Sequence, residues 1–196
     1  MEPQDYSQLP PNLPAPEDDG AARHLPGRAM PAISLPATDG RLVTLADPGP
    51  GRTVLYVYPM IGQPGVPLPE GWDEIPGARG CTPESCGFRD LHAELLAAGA
   101  ARVLGLSSQS TGRQAEAVSR LQLPFAILSD EELALIPALG LPTFTADGMT
   151  LYRRLTMIVA GGMIEHVFYP VFPPDKHAGE VLGWLQANPA ASAAPR

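Results

Sequence analysis

Gly80-Cys81-Thr82-Pro83-Glu84-Ser85-Cys86-Gly87-Phe88-Arg89-Asp90 contains both cysteines of a 196-residue chain. Thr82 is a favourable helix N-cap and Pro83 a favourable first helical residue, and Phe88, Leu91, Leu95 and Leu96 follow at i, i+3, i+7 and i+8. The spacing predicts an amphipathic helix of about four turns, with Cys81 at or just before its start and Cys86 inside it.

A helix start leaves backbone N–H groups unpaired and carries partial positive charge, which favours a thiolate over a thiol. A free thiol titrating near ~8.5 falls to about 3.5–7.5 in such a setting, so Cys81 is the candidate nucleophile and Cys86 the candidate second thiol. If both sit in regular helix, their Cα atoms lie roughly 8.7 Å apart, whereas a disulfide needs less than about 7 Å. A Cys81–Cys86 bond therefore requires the first turns to unwind, which makes the pair a switch. Three other readings of the residues stay open at this point. The thiols are unreactive small apolar residues, or they form a closed structural disulfide with little gain from loop closure, or they bind metal. Against the last, His24, His92, His166 and His177 are scattered along the chain.

The run GCTPESCGFRD resembles the active-site segment of the peroxiredoxins, in their bacterioferritin-comigratory (Q-type) branch, where a peroxidatic and a resolving cysteine are separated by four intervening residues on one helix. Composition agrees with a catalytic pair in one domain. The chain is 44% hydrophobic, enough for a single core, and its formal net charge of −8 argues against a nucleic-acid partner. No stretch approaches the ~20 apolar residues of a membrane span. The N-terminus carries Glu2, Asp5, Glu17, Asp18 and Asp19 with no base before Arg23, unlike a signal peptide. The expectation is a cytoplasmic protein, in a compartment where a lone cysteine pair is more often catalytic than structural.

Residues 1–26 are acidic and proline-rich and are expected to form a disordered tail. Order is expected from Gly27, with Ile33, Leu35, Val43 and Leu45 flanking the hairpin turn Asp39-Gly40. The unbroken apolar runs at residues 53–58 and 102–106 predict parallel strands covered on both faces. Helices are expected at 114–123, 131–139 and 175–186, a partly extended piece at 124–128, and a hairpin of 155–159 with 163–168 around Gly161-Gly162. Residues 187–196 read as a flexible C-terminal tail. This order predicts a layered α/β domain over residues 27–186. The resemblance implies a thioredoxin-like three-layer sandwich with an N-terminal β-hairpin extension.

A peroxidatic thiolate needs a fixed cation, and arginine suits that role. The family carries one at the start of the late strand before the hairpin, which selects Arg154, in Arg-Leu-Thr-Met-Ile-Val, with Arg153 as the alternative. The chain also departs from its relatives. Pro59 stands where the family's proline should, yet Cys81 lies far beyond it, and the usual Thr or Ser three residues before the cysteine is replaced by Ala78. The inserted loop, residues 60–76, is rich in Pro and Gly but carries Ile61, Val66, Leu68, Trp72 and Ile75. It reads either as a lid that brings Trp72 near the site or as the cover of a sheet edge or another subunit.

The resemblance implies a thiol-dependent peroxidase that reduces hydrogen peroxide or organic hydroperoxides through a Cys81 sulfenic acid and a Cys81–Cys86 disulfide. It implies thioredoxin or a glutaredoxin as reductant, no cofactor or metal, and a monomer or homodimer. The alternative is a redox sensor or interaction protein that uses the same switch with weak turnover. A thiol-disulfide oxidoreductase fits less well because the pair is not C-x-x-C.

Overall fold

Leu35 faces Val43 across a small antiparallel hairpin of β1 (Ser34–Pro36) and β2 (Leu42–Thr44). Its turn contains Asp39 and Gly40, and Gly40 has a φ of 82°, which the Asp-Gly signal anticipates. The computed structural model describes residues 6, 8–47 and 49–190. The chain then enters the buried strand β3 (Arg52–Val57), crosses the 60–76 insertion with its short 3-10 turn at Trp72–Glu74, and forms α1 (Cys81–Asp90) and α2 (His92–Ala97). Strand β4 (Ala100–Ser107), helix α3 (Thr111–Leu121), strand β5 (Ile127–Ser129) and the short α4 (Leu135–Leu139) follow. A second hairpin, β6 (Thr143–Ala146) with β7 (Met149–Tyr152), precedes β8 (Leu155–Ala160), β9 (Met163–Phe168) and the closing α5 (His177–Ala187).

Five strands form the central sheet in the order β5-β4-β3-β8-β9. Strand β3 pairs parallel with β4 and antiparallel with β8, so it is hydrogen-bonded on both edges and covered on both faces. Alternation along β3 divides the core in two. Leu55 and Val57 join Leu104, Leu106, Met157 and Val159 in a cluster that also holds Ala22, Leu25 and Leu35. Val54, Tyr56 and Tyr58 face the other way, against Phe88 of α1, Leu95 of α2, Ala117 of α3 and Val181 and Leu185 of α5. The active-site helix therefore packs on the same sheet face as α5.

Several expectations need correction. The acidic N-terminal segment was expected to be disordered to residue 26, yet Tyr6, Ala22 and Leu25 are buried. Its apolar residues are few and aperiodic, but each meets a partner distant in sequence. The helix expected at 131–139 is only Leu135–Leu139, because the Asp130 carboxylate accepts from the N–H groups of Ala134 and Leu135, and Leu133 adopts a φ of 55°. Hairpin β6–β7 was not anticipated. Helix α3 starts earlier than expected, at Thr111, where the Ser110 hydroxyl accepts from the Arg113 N–H. The four-turn helix after Cys81 exists as α1 and α2, interrupted at Leu91. Pro189 and Ala190 are exposed beyond α5, and the rest of the tail expected to be flexible, residues 191–196, lies outside the described residues. Among the described residues, no helix is long and apolar enough to cross a membrane.

Candidate active site

Cys81 is the first residue of α1, and the residue before it, Gly80, is the N-cap at a φ of 107°. Glycine is required there: a Cβ on Gly80 would lie 2.3 Å from Pro174 Cγ and 2.9 Å from Leu9 Cδ2. Thr82, expected to be the cap, lies inside the helix, and no side chain caps this end. The N–H groups at the helix start are thus left to face the sulfur and its surroundings.

Arg154, just before β8, reaches back to this helix start. Its Nη2 lies 3.2 Å from Cys81 Sγ and donates to the carbonyl oxygens of Gly77, Ala78 and Arg79 at 3.3, 3.2 and 3.2 Å. Its Nη1 donates to the Glu84 carboxylate in a fully buried ion pair. One guanidinium therefore fixes the loop before Cys81, the sulfur itself and the first turn of α1. Arg153, the sequence alternative, turns away, donating from Nε to the Thr143 carbonyl at 3.2 Å and lying over the Phe144 ring.

Glu84 is the member of this site that sequence reading missed. A carboxylate three residues into a helix reads as an ordinary first-turn favourable charge, and only the tertiary structure buries it against Arg154. Burial raises its pKa to about 7 even though Arg154 opposes the shift. Burial also raises the pKa of the Cys81 thiol. Arg154 is the largest opposing influence, Glu84 adds to the rise, and the Met60 backbone N–H lowers it. The expectation of a depressed thiol pKa therefore fails in the closed site, because desolvation outweighs the cation. Cys81 and Glu84 compete for one guanidinium, so their two protons titrate as a coupled set. Among the described residues, Glu84 Oε1 and Arg154 Nε are buried side-chain atoms without a hydrogen-bond partner.

Cys86 is a free, half-buried thiol whose pKa is raised by burial, with Arg89 and Arg120 opposing the rise and Asp90 adding to it. Both thiols lie in regular helix, and five residues of helix turn them about 140° apart. The Tyr56 hydroxyl donates to Ser85 Oγ at 3.2 Å, and its ring stacks on Phe88 at 4.4 Å, which holds α1 wound on the sheet.

The insertion covers this site and also a second surface. Trp72 packs with Ala78, Ala146 and Leu151 under hairpin β6–β7, 5.9 Å from the Phe144 ring. It also lines a cavity of about 10 Å³ that Cys81 shares with Tyr6, Met60, Gly62, Leu68, Arg79, Gly80 and Thr82. Trp72 thus lies between the Cys81 cavity and hairpin β6–β7. Arg79 pairs with Asp73 at 3.3 Å and lies 5.3 Å over the Tyr6 ring. Ala78 supplies no hydroxyl, and its carbonyl lies 3.6 Å from Cys81 Sγ.

Behind Arg154, the buried His177 places Nε2 2.8 Å from Thr156 Oγ1 and Nδ1 3.1 Å from Glu180 Oε2. Burial and the positive charge of Arg154 lower its pKa to about 3. Among the described residues, no group of three or more His, Cys, Asp or Glu side chains is placed to hold a metal ion.

A central β3 flanked by β4 and β8, a cysteine at the start of the following helix and an arginine at its sulfur define a thioredoxin-like thiol protein. The chain matches the Redoxin family over residues 25–182. It is 34% identical over 168 residues to the peroxiredoxin Bcp of Escherichia coli, covering 83% of this chain and 96% of that protein. It is 32% identical over 163 residues to the chloroplastic peroxiredoxin Q of Oryza sativa subsp. japonica, covering 82% of this chain. The match spans 66% of the length of that chloroplastic relative. In structure it is similar to the peroxidoxin BcpB of Mycobacterium tuberculosis, with a TM-score of 0.67 at 24% identity over 85% of this chain and 99% of that one. The chain belongs to the peroxiredoxin family, in its bacterioferritin-comigratory (Q-type) branch.

Proposed function

We propose that this chain is a thiol-dependent peroxidase with Cys81 as peroxidatic residue, Cys86 as resolving residue and Arg154 as the cation that serves the reacting sulfur. The observation that carries this reading is the 3.2 Å contact between Arg154 Nη2 and Cys81 Sγ at the start of a helix that also carries Cys86. The Cys81 thiolate attacks the terminal oxygen of a hydroperoxide. The S–O bond forms as the O–O bond breaks, sulfur loses two electrons to become a sulfenic acid, and the departing oxygen takes a proton to leave as water or an alcohol. Arg154 and the Met60 N–H supply donors for the charge that develops, in place of the missing hydroxyl at position 78. The helix start then unwinds, Cys86 attacks the sulfenic sulfur, and the disulfide forms with release of water. A dithiol reductant, thioredoxin or a glutaredoxin, restores both thiols by exchange and is itself oxidised to a disulfide. The cycle needs a reducing compartment such as the cytoplasm, and one chain carries both cysteines, so a monomer or a homodimer suffices.

Peroxide consumption coupled to a thioredoxin system tests the reading. Cys81→Ser abolishes turnover, whereas Cys86→Ser still allows one oxidation of Cys81, visible by mass, without an intramolecular disulfide. A sensor with weak turnover is the second reading, favoured by Ala78 and by the buried, high-pKa Cys81. Stopped-flow oxidation of Cys81 separates the two, since a rate no faster than that of a free thiolate selects the sensor.

A further inference from the structure

The N-terminal segment crosses the Cys81 site as a strap, and its side chains sit where glycines leave room. A Cβ on Gly62 would lie 3.0 Å from the Tyr6 ring, one on Gly80 2.9 Å from Leu9, and one on Gly77 3.4 Å from Pro16. The Tyr6 hydroxyl donates to the Val66 carbonyl at 2.7 Å, and its ring faces the Arg79 guanidinium. Further along, Asp19 accepts from the Tyr169 hydroxyl at 2.8 Å, which anchors the strap beyond the site. Tyr6 therefore holds two positions of the insertion and the residue two before Cys81.

Beneath this roof the cavity at Cys81 measures about 10 Å³, on the scale of a single water. Outside it lies a groove of about 470 Å³ whose lining includes Met60, Gly62, Val66, Leu68 and Met149. Met60, Gly62 and Leu68 line both spaces, and Tyr6 stands on Gly62 and on the Val66 carbonyl at their common wall. Hydrogen peroxide, with two heavy atoms, needs only a small side-chain adjustment to enter. A hydroperoxide with a branched or aromatic substituent needs the wall to open, and the groove, whose Val66, Leu68 and Met149 lie among the polar Gln63, Glu70, Arg113 and Asp147, then offers its apolar part to the substituent.

We propose that Tyr6 and the strap that carries it determine substrate size: closed, they admit hydrogen peroxide to Cys81, and only when Tyr6 lifts does a bulky organic hydroperoxide reach the sulfur from the outer groove. The inference deepens the peroxidase reading, and its test separates the two. In a full-length Cys86→Ser background, Cys81 is alkylated with iodoacetamide and with N-pyrenylmaleimide, each rate divided by that of free cysteine. Tyr6→Ala is expected to raise the pyrenylmaleimide rate at least tenfold and the iodoacetamide rate less than threefold. Leu9→Ala, a milder change, shifts the ratio the same way by a few fold, and Tyr6→Phe, which keeps the ring, leaves it within twofold. With Cys86 restored, Tyr6→Ala gains at least tenfold in Cys81 oxidation by cumene hydroperoxide relative to hydrogen peroxide. An unchanged ratio of the two alkylation rates in both Tyr6→Ala and Leu9→Ala overturns the proposal. Size-selective alkylation with no reaction toward either peroxide leaves the strap in place and overturns the peroxidase reading instead.

Discussion

Glu84 and Cys81 contend for a single guanidinium, and the consequences can be measured at the level of one side chain. The folded-state pKa of Glu84, about 7, lies above its ordinary value of 4.5. Its contribution to stability is therefore fully present below about 4.5 and is lost as pH rises through 7, a loss of roughly 3 kcal/mol. In Glu84→Gln that loss is absent, so the denaturant midpoint of the variant rises relative to the parent's as pH goes from 4.5 to 8, the slope from other groups cancelling in the difference; a difference that does not change with pH would refute the assignment. Removing the carboxylate also removes a charge that raises the Cys81 pKa. The pH profile of Cys81 alkylation in Glu84→Gln accordingly shifts to lower pH. Arg154→Met acts in the opposite sense, because it strips both buried anionic groups of their partner. It is expected to cost 3–5 kcal/mol, of the order found when one member of a buried pair is removed, and to slow Cys81 oxidation at least a hundredfold. Urea titration and stopped-flow oxidation check the two effects separately.

Among the elements, the 60–76 insertion and α5 carry the clearest expectations. Trp72 is buried between the Cys81 cavity and the Phe144–Leu151 cluster, so Trp72→Ala leaves a void worth about 3–5 kcal/mol. Because the same ring lines the cavity, the ratio of bulky to small hydroperoxide turnover also rises; equal losses for both substrates would count against a lid. His177 joins α5 to β8 through Thr156, and its pKa is depressed to about 3. A group with a lowered folded-state pKa stabilises above its unfolded value, near 6.5, and loses that contribution as pH falls toward 3. By pH 5 the loss is about 2 kcal/mol, and His177→Asn, measured by thermal melts from pH 7 to pH 4, removes that slope. The irregular elements were the least legible in sequence. Hairpin β6–β7 is short, and Leu151 and Ala146 on it pack against Trp72 of an insertion whose position no local pattern announces. The 131–139 helix was shortened by Asp130, whose carboxylate is occupied with backbone N–H groups and the Tyr152 hydroxyl at 2.6 Å.

At the scale of the whole molecule, the reduced fold opposes the bond it is proposed to make. Cys81 and Cys86 lie on different sides of α1, Tyr56 and Phe88 hold that helix on the sheet, and the N-terminal strap closes over its start. Oxidation to the disulfide must therefore unwind the first turns of α1 and disturb residues remote in sequence. Hydrogen exchange compared between dithiothreitol-reduced and peroxide-oxidised protein is expected to show lost protection at 80–88 and in the strap, with β3 and β8 unchanged. Unaltered exchange at 80–88 in a protein shown by mass to carry the disulfide would contradict this coupling.

The sequence by itself determined the strands β3, β4, β8 and β9 and the helix that carries Cys81 and Cys86, and its resemblance to a known family pointed to a late arginine for the sulfur. Strand β3 is apolar on both faces because both are covered, and that leaves a mark in any linear reading. So does the five-residue spacing of the cysteines, which fixes their separation once a helix forms. The tertiary structure alone decided that Arg154 rather than Arg153 meets the sulfur, that Glu84 shares it, and that residues expected to be disordered lie across the site. The physical reason is common to all three: an ion pair, a desolvated thiol and a ring seated on a glycine each depend on groups brought together from distant parts of the chain, and burial, which sets their energies, has no local signature.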